Sequence, residues 1–154
     1  MHSYCKIIKK LLKKNISIST VESCTGGLLS SKFTSFAGIS KIYNMGLITY
    51  SNQSKIKLLK INKKTLNKHG AVSYQIALLM VKNLKNISHS KLCISTTGIA
   101  GPTGGSKNKP VGLIYIGIHY KNNVKIFEKK YTGSRKQIQN KTIKFIFNII
   151  YQLI

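Results

Sequence analysis

Residues 16–36 read ISISTVESCTGGLLSSKFTSF, and no other stretch constrains the fold as much. The first seven residues, 16–22, are rich in β-branched side chains and alternate, which is the pattern of a strand. A glycine pair then breaks the run, and LLSSKFTSF resumes as a helix. A strand that turns through small residues directly into a helix belongs to an α/β fold. The turn also lifts its side chain, Ser23, to the carboxyl edge of the sheet and sets helix-start N–H groups beside it.

The rest of the chain keeps the alternation. Residues 2–14 place Tyr4, Ile7, Ile8, Leu11 and Leu12 at helical spacing with lysines on the other face. Strands are expected at 43–50, 91–97, 111–120 and 124–131, and short helices at 53–60 and 63–68. Ser73 is the expected N-cap of a helix over 74–86, and Ser134 that of a helix over 134–153. A turn at Asn122-Asn123 joins the last two strands as an antiparallel hairpin. These elements make a single α/β domain over 1–154, with a mixed sheet covered by helices. A chain of 154 residues has room for one real core.

No apolar run approaches the roughly 20 residues a membrane helix needs. The segment MHSYCKIIKKLLKK is too basic for a signal peptide. Cys5, Cys24 and Cys93 are scattered and odd in number, which suits a reducing compartment. A cytoplasmic protein is expected.

Charge limits the chemistry. Lys and Arg number 26 against 2 for Asp and Glu, a net charge of +24 that attracts phosphorylated partners or nucleic acid. Yet the cations are almost all lysine, spread over nearly every segment among Ile and Asn, as A- and T-rich codons would dictate. A nucleic-acid surface would instead gather arginines and aromatics on one face; the sole arginine is Arg135. Neither nucleic acid nor a membrane is the expected partner. The acid shortage decides more. Glu22 and Glu128 are the only carboxylate side chains, so paired-carboxylate hydrolysis and a Ser-His-Asp triad are excluded. His2, His69, His89 and His119 are too dispersed for a zinc site, and no metal is expected.

Four segments remain able to carry chemistry. In VESCTGG, Ser23 or Cys24 can be a nucleophile, although Ser23 and Thr25 serve equally well as helix caps. LITYSNQSK (47–55) ends a strand in a polar turn that displays Tyr50 and Lys55; a lysine becomes a base for serine only if its pKa is lowered. STTGIAGPTGGSKNKPVG (95–112) is a glycine-rich loop whose N–H groups can approach a phosphate or carboxamide. TGSR (132–135) sets Arg135 at a helix start, a phosphate seat.

Taken together, ESCTGG, FAGISKIYNMGLITYSNQSK, HGAVS, TGIAGPTGGSKNKPVG and TGSR resemble the C-terminal domain of the CinA family, the nicotinamide-nucleotide amidohydrolases. The resemblance runs in order and spacing from residue 16 onward. It implies a three-layer α/β/α sandwich, often dimeric, and metal- and cofactor-free hydrolysis of nicotinamide mononucleotide to nicotinate mononucleotide and ammonia, a step of pyridine-nucleotide salvage. It puts the serine nucleophile on Ser23, with Lys55 and Tyr50 as its partners. It also implies an oxyanion site around Cys24, Thr25 and Gly26, a pocket wall of Thr97, Gly98 and Gly101, phosphate contact by Arg135, and Ser40 near the site. Some members join this domain to a larger N-terminal one. The chain departs from the family at Ser134, Lys107 and Lys109, where acidic residues are common. A non-catalytic nucleotide-binding module of the same fold is the alternative.

Overall fold

The computed structural model describes residues 4–154. Positions 2 and 3 of the expected first helix lie outside them. Helix α1 spans Tyr4–Lys13, strand β1 Ile18–Glu22, and helix α2 Leu28–Thr34. A single 3₁₀ turn at Ile39–Lys41 leads into β2, Tyr43–Ile48. Helices α3 (Asn52–Leu59), α4 (Lys63–His69) and α5 (Tyr74–Ser88) follow, then β3, Leu92–Gly98. Strands β4 (Leu113–Tyr120) and β5 (Asn123–Lys130) form the hairpin, and α6 runs from Arg135 to Leu153.

The five strands lie in the order β2-β1-β3-β4-β5. β1 is parallel to β2 and β3, while β4 and β5 pair antiparallel. One face packs α1, α2 and α6 around Ile7, Leu11, Phe33, Ile146 and Phe147. The other packs α3, α4 and α5 around Leu59, Leu66, Ile76 and Met80. The result is the three-layer sandwich with a mixed sheet.

Every residue of β1 is buried, including Ser19, Thr20 and Glu22. Its alternation therefore does not mark a wet face, because helices cover the strand on both sides. The polar side chains are paired instead: Ser19 Oγ lies 2.8 Å from Ser90 Oγ, and Thr20 Oγ1 2.6 Å from the Tyr43 hydroxyl. The hairpin turn is shifted one residue from its expected place. Tyr120 pairs with Asn123, so Lys121 and Asn122 form the turn, both in the left-handed region (φ 48° and 63°). Ser73 and Ser134 cap their helices as expected, the latter in a capping box with Gln137. Among the described residues no helix is long and apolar enough to cross a membrane.

Candidate active site

The site follows from the pleat of β1. Thr20 and Glu22 turn their side chains toward α2, where Ser30 contacts both. Ser23 comes next and faces the opposite layer, as alternation demands. Its own N–H still donates to the Thr96 carbonyl at 2.9 Å, so the serine is held by the sheet and only 8% exposed.

Because β2 runs parallel to β1 with Glu22 opposite Ile48, both strands end at the same sheet edge. Thr49 and Tyr50 leave β2 there, Ser51 caps α3 by accepting from the Ser54 N–H at 3.0 Å, and the helix carries Lys55 beneath Ser23. Lys55 is 1% exposed. Its Nζ donates to Ser23 Oγ at 3.0 Å, to the Thr49 carbonyl at 2.7 Å and to the Tyr50 carbonyl at 3.4 Å. Burial lowers its pKa from 10.5 to about 8, against an opposing influence from the Cys24 thiol. Burial pushes that thiol up to about 12, which leaves Cys24 protonated and weak as a nucleophile.

A cleft of about 330 Å³ opens over this pair. Ser23, Cys24 and Lys55 form one wall, and Thr97, Gly98 and Gly101 form another. Gly101 needs its missing side chain: its φ is +82°, and a Cβ would stand 2.5 Å from Val111. Arg135 Nη1 donates to the Gly101 carbonyl and Nη2 to the Tyr50 hydroxyl, each at 2.7 Å. The guanidinium thus ties the glycine-rich loop to the exit of β2. The Tyr50 side chain is 60% exposed and meets Arg135; only its backbone carbonyl touches Lys55. Thr97 spends its hydroxyl on the Ala71 carbonyl at 2.8 Å. That contact brings Ala71 and Val72, from HGAVS, into the cleft wall, along with Thr103 and Gly104. In the sequence these four stand out only as members of HGAVS and of the glycine-rich loop.

Two expected residues, Gly26 and Ser40, fall outside the cleft, and a third, Thr25, turns its side chain away from it. Thr25 is buried under the turn, where its hydroxyl donates to Glu22 Oε2 at 2.6 Å and lies 2.7 Å from Thr96 Oγ1. Gly26 does not line the cleft, and its N–H is committed to the Ser23 carbonyl at 3.1 Å. Ser40 sits in the 3₁₀ turn that feeds the start of β2, and so lies at the opposite end of the sheet from Ser23. Parallel pairing forces this separation, since the start of β2 meets Ile18, not Glu22.

Glu22 is the residue whose part in the site the sequence did not disclose. It is fully buried and accepts five hydrogen bonds: from the Thr25 hydroxyl, the N–H groups of Gly27, Leu29 and Ser30, and the Ser30 hydroxyl. It fastens α2 to the end of β1 and so fixes the turn that carries Ser23. Among the described residues no three His, Cys, Asp or Glu side chains are grouped as metal ligands. A serine backed by a buried, partly neutral amine can attack a carbonyl carbon.

The CinA C-terminal domain profile matches residues 3–154. A protein of Clostridium novyi (strain NT) named competence-damage inducible protein is 48% identical over 135 residues, 88% of this chain and 33% of that protein. One of the same name from Caldicellulosiruptor bescii is 46% identical over 144 residues, 94% of this chain and 35% of its own length. The chain thus spans about a third of these curated relatives. The crystal structure of competence/damage inducible protein CihA from Agrobacterium tumefaciens matches at a TM-score of 0.92 and 36% identity, covering 97% of this chain and 92% of that one.

Proposed function

The chain belongs to the CinA C-terminal domain family, and on that premise we propose that it is a serine amidohydrolase that deamidates nicotinamide mononucleotide to nicotinate mononucleotide and ammonia. The names of its relatives state no reaction. The observation that carries the reading is the buried contact of 3.0 Å between Lys55 Nζ and Ser23 Oγ, set in a cleft with an arginine at its rim.

The donors of Lys55 count in favour of a base. A protonated amine has three N–H groups, matched by the Thr49 carbonyl, the Tyr50 carbonyl and Ser23 Oγ. Loss of one proton leaves two N–H groups for the two carbonyls and a lone pair for Ser23. Ser23 then attacks the carboxamide carbon while its proton passes to Lys55. The N–H groups of Cys24 and Thr25 flank the nucleophile, and neither donates to another residue among those described. They are free to meet the oxyanion, each at roughly 3 kcal/mol by comparison with other serine hydrolases. Lys55 returns the proton to the amide nitrogen, the C–N bond breaks and ammonia leaves. Water, deprotonated by Lys55, attacks the acyl ester and releases the acid, and Ser23 recovers its proton.

Arg135 uses two of its five N–H groups on Gly101 and Tyr50, so it keeps donors for the phosphate. We place the reaction in the reducing cytoplasm, where the three free cysteines are at home. Ammonia release from nicotinamide mononucleotide by purified protein is the test. Ser23→Ala is expected to abolish release, and undiminished release would remove Ser23 from the mechanism. No release from the wild type would leave a nucleotide-binding module without turnover.

A further inference from the structure

A second cavity, of about 420 Å³, lies away from the Ser23 cleft and is the larger of the two. Lys14, Lys85, Lys91 and Lys121 make up half of its eight lining residues, and no carboxylate is among them. General basicity does not produce this. Lysine is about one residue in six of the chain, and the Ser23 cleft has one lysine among fourteen lining residues. The four come from separate segments: the end of α1, α5, the approach to β3, and the β4–β5 turn.

The ammonium groups are also held in place. Lys85 Nζ donates to the Ser90 carbonyl and Lys91 Nζ to the Asn15 carbonyl, each at 2.9 Å, while Lys14 Nζ donates to the terminal oxygen of Ile154, the last residue of the sequence. Lys121 Nζ stands over the Tyr120 ring at 5.4 Å. A backbone carbonyl orients an ammonium without neutralising it, so the charges of Lys85 and Lys91 stay available. Ile16 and Tyr120 supply an apolar wall, and the His119 ring completes the lining. His119 Nδ1 is buried with no hydrogen-bond partner, and burial followed by Lys85 and Lys82 lowers the pKa of the ring. The imidazole is therefore neutral, and the positive charge of the cavity comes from the lysines.

We propose that this cavity is a binding site for a small phosphorylated anion carrying at least two phosphate charges, distinct from the site of hydrolysis. His119 and Tyr120 pair with Cys93 and Leu92 at the start of β3, whereas Gly98 at its other end lines the Ser23 cleft. The two sites are thus separated by the length of β3, about 20 Å at roughly 3.3 Å per residue. A ligand here does not obstruct the cleft. Lysine binds phosphate as a point charge, and ammonium groups from several segments can each meet a different oxygen of a phosphorylated anion.

Inorganic pyrophosphate, titrated calorimetrically into the full chain at about 0.1 M salt, tests the site. Saturable binding at one site is expected. Lys91→Gln with Lys121→Gln should weaken it at least about tenfold, the loss of one charge-assisted hydrogen bond. Both side chains are exposed, and an unchanged melting temperature would confirm that the fold is intact. Ser23→Ala should bind as the wild type does, and so should Arg135→Gln. Pyrophosphate binding that survives the double lysine substitution but fails in Arg135→Gln would overturn the proposal and assign the anion to the cleft. Absence of saturable binding would overturn it too. A third arm uses a single-stranded RNA of about 20 nucleotides: binding tighter than pyrophosphate, lost at the same lysines, would make the cavity part of a nucleic-acid surface. None of these outcomes depends on amide hydrolysis.

Discussion

Activity should follow the protonation of Lys55. With a pKa of about 8 in place of 10.5, roughly one amine in ten is neutral at pH 7, against roughly three in ten thousand for an ordinary lysine. Burial thus enlarges the competent fraction about 300-fold, equivalent to about 3 kcal/mol. Ammonia release followed from pH 6 to 10 should show kcat/KM rising about fivefold between pH 7 and 8 and levelling by about pH 9.5. Cys24, pushed up to about 12, stays protonated throughout and does not contribute. The same shift must appear in stability. The folded value lies below the unfolded one, so the unfolded chain holds the extra proton between about pH 8 and 10.5. Below that window the full cost of burying the charge is present; it is relieved as pH rises through the window. Urea denaturation of the wild type should therefore gain up to about 3 kcal/mol relative to Lys55→Met between pH 7.5 and 10.5. A flat rate profile, an inflection above pH 10, or identical pH dependence of stability in the two proteins would refute the reasoning.

Other substitutions separate structural from chemical parts. Glu22→Gln places an amide donor among five donors, and a loss of about 2–3 kcal/mol in denaturant midpoint analysis is expected, with activity reduced further. Tyr50→Phe removes the Arg135 acceptor and spares the carbonyl on Lys55, so KM should rise by about threefold to tenfold with kcat little changed. Iodoacetamide at neutral pH should label exposed Cys5 and leave buried Cys24 unmodified, with activity intact; loss of activity tracking Cys24 modification would point to a thiol nucleophile.

What could be read from the chain alone was local. The helix caps at Ser73 and Ser134, the hairpin, and the strand-to-helix turn at Ser23 are written in neighbouring residues, and all are present. Strand order was not legible, because pairing β1 between β2 and β3 is a choice among distant segments. Lys55 was hidden by its company: nothing nearby distinguishes it from the other lysines, and its burial comes from α3 carrying it beneath Ser23. The resemblance, not the spacing, singled it out. Ser40 failed for a related reason. It lies close in sequence to Tyr50, but the whole of β2 separates them in space. The Thr25 side chain was claimed by a buried carboxylate within one turn of chain, which leaves only its N–H beside Ser23. Glu22 stood out by composition, yet its duty depends on N–H groups aligned only once α2 forms.

Two of the three groups that orient Lys55 are peptide carbonyls, and peptide carbonyls do not mutate. Neighbouring side chains can be exchanged wholesale without turning the amine away from Ser23. A lineage drifting toward lysine, isoleucine and asparagine could therefore rewrite most of this protein's exterior while its base stayed aimed. Only changes to the backbone path from β2 into α3, such as a deletion between Thr49 and Ser51, would reach it.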